Sequence, residues 1–194
     1  MTSPFSTGLP SSTDVPAGPA AAGDGAAPTV RRARTGDVRA IADLVDGYAT
    51  ERILLAKERV TLYEDIQEFQ VAEAGGGIVG CGALHVIWED LAEVRTLAVD
   101  PAWRRSGVGS ALLAALVEQA RELGVRRLFC LTFEVAFFGR HGFEVIDGTP
   151  VPPWVYAQLL RSMDEGVAEF LDLARVKPNT LGNTRMLREL GADG

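Results

Sequence analysis

Residues 103–113 read WRRSGVGSALL: two arginines, a serine and two glycines running straight into apolar positions at helical spacing. The nine residues before Pro101, AEVRTLAVD (92–100), have the apolar, β-branched character of a strand. A strand must therefore turn through a glycine-bearing corner into a helix. Small residues let backbone approach a ligand closely, and a helix N-terminus presents amides with no intrahelical partner, so such a corner is suited to an anion. The helix is well specified: Val108, Leu112, Leu113, Leu116, Val117, Ala120 and Leu123 recur at close to 3.6 residues, and Gly124 ends the run.

The remaining pattern surrounds this corner with alternating elements. TVRRART (29–35) reads as a first strand ending at a helix cap, Thr35. Val38, Ile41, Leu44, Val45 and Tyr48 then mark one apolar helical face. TLYE (61–64) has the form of a capping box opening a short helix through Phe69. Two strands follow, joined at Gly75, Gly76 and Gly77, then the strand at 92–100 and the long helix. RRLFCLTF (126–133) reads as a buried strand, and EVAFFGRHGFEVI (134–146) as a short helix, a turn at Gly142 and a strand. PPWVYAQLLRSM suggests a helix, AEFLDLARV (168–176) a last strand, and KPNTLGNTRMLREL (177–190) a turn-rich tail. The order is that of a mixed α/β domain.

Composition bounds the partners. Of 194 residues, 26 are acidic and 19 basic, a formal net charge of −7, which disfavours binding along a nucleic-acid backbone. No apolar run approaches the length needed to span a bilayer. The two cysteines, Cys81 and Cys130, sit in separate strand-like runs, which implies neither a disulfide framework nor a metal cluster and suits a cytoplasmic protein. Residues 1–28 hold five of the ten prolines, with Asp14 and Asp24 as their charges; they read as a flexible tail ahead of a single domain spanning 29–190.

Three phosphate loops compete for the corner. A nucleoside-triphosphate loop needs a lysine after its last glycine, whereas Gly109 is followed by Ser110 and Ala111. A dinucleotide fingerprint needs a third glycine and an early βαβ unit. What remains is Arg104-x-x-Gly107-x-Gly109. Placed after LAVDP and about thirty residues before FFGRHGF, it resembles the coenzyme loop of the GCN5-related N-acetyltransferase (GNAT) superfamily.

The resemblance implies the GNAT fold, a mostly antiparallel mixed sheet with splayed central strands flanked by helices. It also implies acetyl-CoA as cosubstrate, with no metal. Amides from Arg105 through Ser106, Gly107, Val108, Gly109 and Ser110 would cradle the pyrophosphate, assisted by the Arg104 and Arg105 side chains. Backbone of Leu97, Ala98 and Val99 would meet the pantetheine. The thioester would lie between TLAV and CLTF, the latter containing Thr132.

A closer similarity runs from about Val30 to Phe143: ILLAKERVTLYEDIQEF, IVGCGALHV, AEVRTLAVDP and RRLFCLTFEVAFFGRHGF are similar to the acetyltransferase domain of N-acetylglutamate synthases, and GVAEFLDLARVKPNTLGNTRML to their short, actinobacterial-type form. This implies acetylation of the α-amine of L-glutamate, or of L-glutamine, by direct transfer at the first step of arginine biosynthesis. The long form also has an arginine-binding kinase-like domain, which no part of this sequence resembles, so arginine feedback is not expected by that route.

Glu93 is the favoured base, because a carboxylate is unusual among apolar neighbours at the mouth of the cofactor strand; the alternative is a strand-end carboxylate paired with Arg95. His85 is the second choice, against a structural role. Lys57, Arg59 and Arg95 are possible clamps for a substrate carboxylate, each otherwise a surface charge. Cys81 reads as a wall of the substrate pocket or a plain buried thiol. Phe138 stands where many superfamily members carry a proton-donating tyrosine against the cofactor, and it cannot donate; Tyr63 or water could substitute, or no acid is needed, a thiolate being already a tolerable leaving group. The strand-like segment at EFLDLARV could pair across a homodimer. Other readings are acetylation of a polyamine, drug or protein N-terminus, or acetyl-CoA sensing without turnover.

Overall fold

The computed structural model describes residues 27–50, 58–173 and 182–191. Seven strands form one sheet: β1 Thr29–Arg32, β2 Phe69–Ala74, β3 Gly77–Trp88, β4 Leu91–Val99, β5 Arg127–Thr132, β6 Glu144–Val145 and β7 Thr184–Glu189, in the order β1-β2-β3-β4-β5-β7-β6. Every neighbouring pair is antiparallel except β4 and β5. The parallel pair is joined by α3 (Val108–Glu122), the crossover helix a parallel connection needs. Its apolar stripe, Leu113, Leu116, Val117 and Ala120, packs with Val94, Leu128, Cys130 and Met186 on one face of the sheet. On the other face α1 (Val38–Thr50) packs Val38, Ile41 and Val45 onto Phe69, Val71, Cys81 and Ala98. Farther along that face, α5 (Pro153–Leu159) and α6 (Glu165–Phe170) bury Val155, Val167 and Phe170 around Phe129 and Leu91.

Two departures from regular sheet geometry shape the centre. Pairing of β4 with β5 runs only through Leu91–Arg127, Ala92–Leu128 and Glu93–Phe129, so beyond Glu93 the strands part and leave a wedge. Facing β3, the register slips by one residue between Cys81–Ala98 and Ala83–Arg95. The extra residue lies by Thr96, whose φ of +57° is a left-handed conformation costly for a β-branched side chain, of order 1–3 kcal/mol. Beyond the bulge, the Asp100 N–H donates to the Val79 carbonyl at 2.9 Å, so by strand alternation Val99 and Leu97 aim their backbone groups away from β3, into the wedge.

The last stretch of the chain differs from the sequence expectation. Within AEFLDLARV, residues up to Phe170 close α6, while Ala174–Val176 fall outside the described residues. Asp164 starts this helix by accepting from the Val167 N–H at 2.9 Å. A strand here that pairs across a dimer is therefore excluded over 165–170. The final strand is TRMLRE (184–189), inside the expected tail, and it covers the whole of β5 from Arg127–Glu189 to Thr132–Thr184. TLYE is not a cap either: α2 (Arg59–Glu64) begins two residues earlier behind Glu58, so that Leu62 reaches the core.

Candidate active site

The glycine corner between β4 and α3 has the backbone geometry an anion cradle needs. Asp100 caps the turn after β4 by accepting from the Ala102 N–H at 2.8 Å, and the Ser106 hydroxyl donates to the Trp103 carbonyl at 2.6 Å. Arg105 takes a φ of +64° and Gly107, the residue before α3, a φ of +91°. This left-handed pair turns the chain sharply enough to stack successive amides at the mouth of the helix. The Ala111 N–H bonds the Gly107 carbonyl at 3.0 Å, so the amides of Val108, Gly109 and Ser110 lie ahead of the helical ladder, at the positive end of its dipole. Arg104, Arg105, Ser106, Gly107 and Ser110 are exposed, as a ligand-facing loop requires. The sequence reading did not include His141. Its Nδ1 lies 2.8 Å from the Phe137 carbonyl and so donates, leaving Nε2 to accept from the Ser110 hydroxyl at 3.0 Å.

Phe138 belongs elsewhere. It is 5% exposed, packed edge-on against Phe143 at 5.1 Å and enclosed by the α3-side core. The ring beside the loop is Phe137, close enough that a Cβ on Gly109 would lie 3.5 Å from it. On a helix one residue moves a side chain by about 100°, and counting back from Gly142 gives no sign of which phenylalanine points inward.

At the apex of the wedge stands Glu93, 3% exposed, opposite His85 on β3 and beside Phe129 on β5. Around it lies a compact charged cluster. Arg95 donates to both oxygens of Asp164 at 3.0 and 3.1 Å, to Glu68 at 3.0 Å and to Asp65 at 3.4 Å. His85 Nδ1 lies 2.8 Å from Glu68 Oε1 and 2.9 Å from Arg95 Nη2. One ring nitrogen cannot both donate and accept, and a carboxylate only accepts, so its proton faces Glu68 and Arg95 is served by the other Glu68 oxygen. Burial pushes the Glu68 and Asp164 carboxyls up, but His85 and Arg95 for Glu68, and chiefly Arg95 for Asp164, outweigh it, and both end below the usual carboxylate range. Arg95 stays firmly charged: Glu68, Glu93 and Asp164 overcome its own burial. The N-terminal turn of α6 closes over this cluster at Gly166, where a Cβ would lie 2.9 Å from Arg95 Nη1 and 3.1 Å from Glu93 Oε2.

The expected substrate residues divide accordingly. Arg95 is paired through its Nη atoms with carboxylates of its own chain, Asp65, Glu68 and Asp164, which opposes the clamp expected of it. Cys81 is fully buried in the α1-side core, its thiol donating to the Thr96 carbonyl at 3.7 Å and pushed up to about 12 by burial. It is a core thiol and forms no pocket wall. The Thr132 hydroxyl accepts from the Glu134 N–H at 2.9 Å, shaping the turn into α4 (Val135–Arg140). Arg59 is exposed at the start of α2, and Lys57 lies outside the described residues. Among the described residues no cluster of three or more His, Cys, Asp or Glu is arranged to hold a metal, and no helix is long and apolar enough to cross a membrane.

Comparison with known proteins agrees with this geometry. Residues 39–143 match the acetyltransferase (GNAT) family model. An amino-acid acetyltransferase of Mycobacterium tuberculosis is 60% identical over 163 residues, covering 82% of this chain and 93% of that protein. The crystal structure of Rv2747 from the same organism, in complex with CoA and NLQ, superposes with a TM-score of 0.82 at 59% identity over 84% of this chain and all of that one. An N-acetylglutamate synthase from Neisseria gonorrhoeae, complexed with coenzyme A and N-acetyl-glutamate, gives a TM-score of 0.68 at 27% identity over 87% of this chain but only 36% of its own. With the glycine corner, the wedge and this similarity in register, the chain belongs to the acetyltransferase (GNAT) family.

Proposed function

We propose that this acetyltransferase moves the acetyl group of acetyl-CoA to the α-amine of L-glutamate, with L-glutamine as the alternative acceptor, as the first step of arginine biosynthesis. The observation that carries the reading is the 60% identity with an amino-acid acetyltransferase over nearly its full length. The site's chemistry supports it. Amides of Val108, Gly109 and Ser110 hold the pyrophosphate, and the wedge between β4 and β5 admits the pantetheine. Glu93, at the apex, takes the proton from the α-ammonium through a water, since the carboxylate is nearly sealed beneath Gly166. The freed amine attacks the thioester carbonyl to form a tetrahedral oxyanion, and as the C–S bond breaks the surplus proton on nitrogen passes through water to the departing sulfur, giving the amide and CoA thiol. Both cysteines are buried in separate cores, which suits transfer without an acyl-enzyme. Of the three expected clamps, Arg59 and Lys57 remain to engage the substrate carboxylates.

The test is free-thiol release from acetyl-CoA by the purified chain against free amino acids, polyamines and a peptide, with and without arginine. Turnover confined to glutamate or glutamine is expected. Turnover only on polyamines or peptide refutes the amino-acid acceptor, and CoA binding without any turnover refutes the enzymatic reading.

A further inference from the structure

Tyr48 sits near the end of α1, its ring partly buried against the α1-side core. Its hydroxyl donates to the Val99 carbonyl at 2.6 Å and accepts from Arg104 Nη2 at 3.3 Å, and the Arg104 guanidinium lies 5.4 Å from the ring centre. One side chain from another element thus holds the last residue of β4 and the first arginine of the glycine corner. We infer that Tyr48 is a positioning residue for the coenzyme: it fixes the free edge of β4 and aims Arg104 at the pyrophosphate. This rests on the reading that residues 104–110 hold that group.

The physical case has two parts. The Val99 carbonyl points into the wedge, where no strand pairs with it. It has two lone pairs, so a tyrosine hydroxyl can orient it and leave one acceptor site for a pantetheine amide. Arg104 lines a cleft of about 380 Å³ that also contains Asp43 and Asp100. Tyr48 lines the same cleft, and its hydroxyl and ring face give the Arg104 guanidinium a fixed partner among these carboxylates. Tyr48→Phe keeps the ring in the core and removes only the hydroxyl.

Calorimetric titration of the full chain with CoA needs no acceptor, so it reads this inference separately from the choice of substrate. For Tyr48→Phe, Kd for CoA and KM for acetyl-CoA are expected to rise about tenfold, with kcat at saturation within about twofold. In an Arg104→Ala background the same change is expected to add clearly less than the tenfold it causes alone, because one of the two groups it positions is gone and only the Val99 contact remains. Unchanged affinity, a fall in kcat alone, or full multiplicativity with Arg104→Ala would overturn the inference. So would tighter binding, which would make Tyr48 a competitor for the Val99 carbonyl. Wild-type protein that fails to bind CoA would overturn the loop reading itself, and this inference with it.

Discussion

Glu93 and Arg95 lie two positions apart on one strand and face the same side, yet they differ in what surrounds their charge. Arg95 is ringed by Asp65, Glu68 and Asp164, so its charge is spent within the protein. Removing it strands several carboxylates around one buried site, and Arg95→Ala is expected to cost about 3–5 kcal/mol in chemical denaturation. A loss below about 1 kcal/mol would mean the cluster is solvated. Glu93→Gln preserves shape and removes the proposed base. The expected outcome is a kcat lowered about 10²–10⁴-fold with CoA affinity within about threefold. If titration shows both falling together, Glu93 supports the fold and does not carry the proton.

Elements are placed by a few positions that no other residue type fills well. Gly107 joins the loop to α3 at a φ of +91°, and an L side chain there is strained. Gly107→Ala is expected to weaken CoA binding about tenfold and lower thermal stability modestly, whereas a change confined to stability would show that the loop tolerates rearrangement. Gly166 brings α6 down onto Arg95 and Glu93, where a Cβ would crowd the ends of both side chains. Gly166→Ala is expected to displace those side-chain ends and reduce turnover while leaving CoA affinity intact, and the pair of measurements separates the two halves of the site.

At the scale of the whole molecule, α6 also carries a pH response. Glu169 is buried, and burial, helped by the nearby charges of Glu165 and Asp164, raises its carboxyl to about 7. A folded-state value above the unfolded one means the native chain holds this proton more tightly. Its stabilising contribution is complete below about pH 4.5 and is lost as pH rises through 7, by up to about 3 kcal/mol. Melting temperature is therefore expected to fall between pH 5 and 8, and Glu169→Gln to flatten that slope. The depressed carboxyls of Asp37, Glu68 and Asp164 act oppositely, in acid, below the usual carboxylate range. A wild-type slope unchanged in Glu169→Gln would assign the response elsewhere.

Local chemistry was enough to place the glycine corner, the long helix and the order of the central elements, because turn residues and apolar periodicity act over a few neighbours. The same local signal left the end of the chain wrong. AEFLDL suits helix or strand, and only the Asp164 cap and packing against Phe129 select the helix. TRMLRE resembles a polar tail until β5 supplies six backbone partners and makes it a strand. Site residues divide in the same way. Loop amides follow from sequence, since their direction is set by the turn that holds them. Whether Arg95 is a free cation, Phe138 or Phe137 faces the cofactor loop, or Cys81 touches a pocket depends on groups distant in the chain: Asp164 is 69 residues from Arg95, and Tyr48 51 from Val99. Charge pairing and burial act through space, so only the folded chain decides which of its charged and aromatic side chains remain for a substrate.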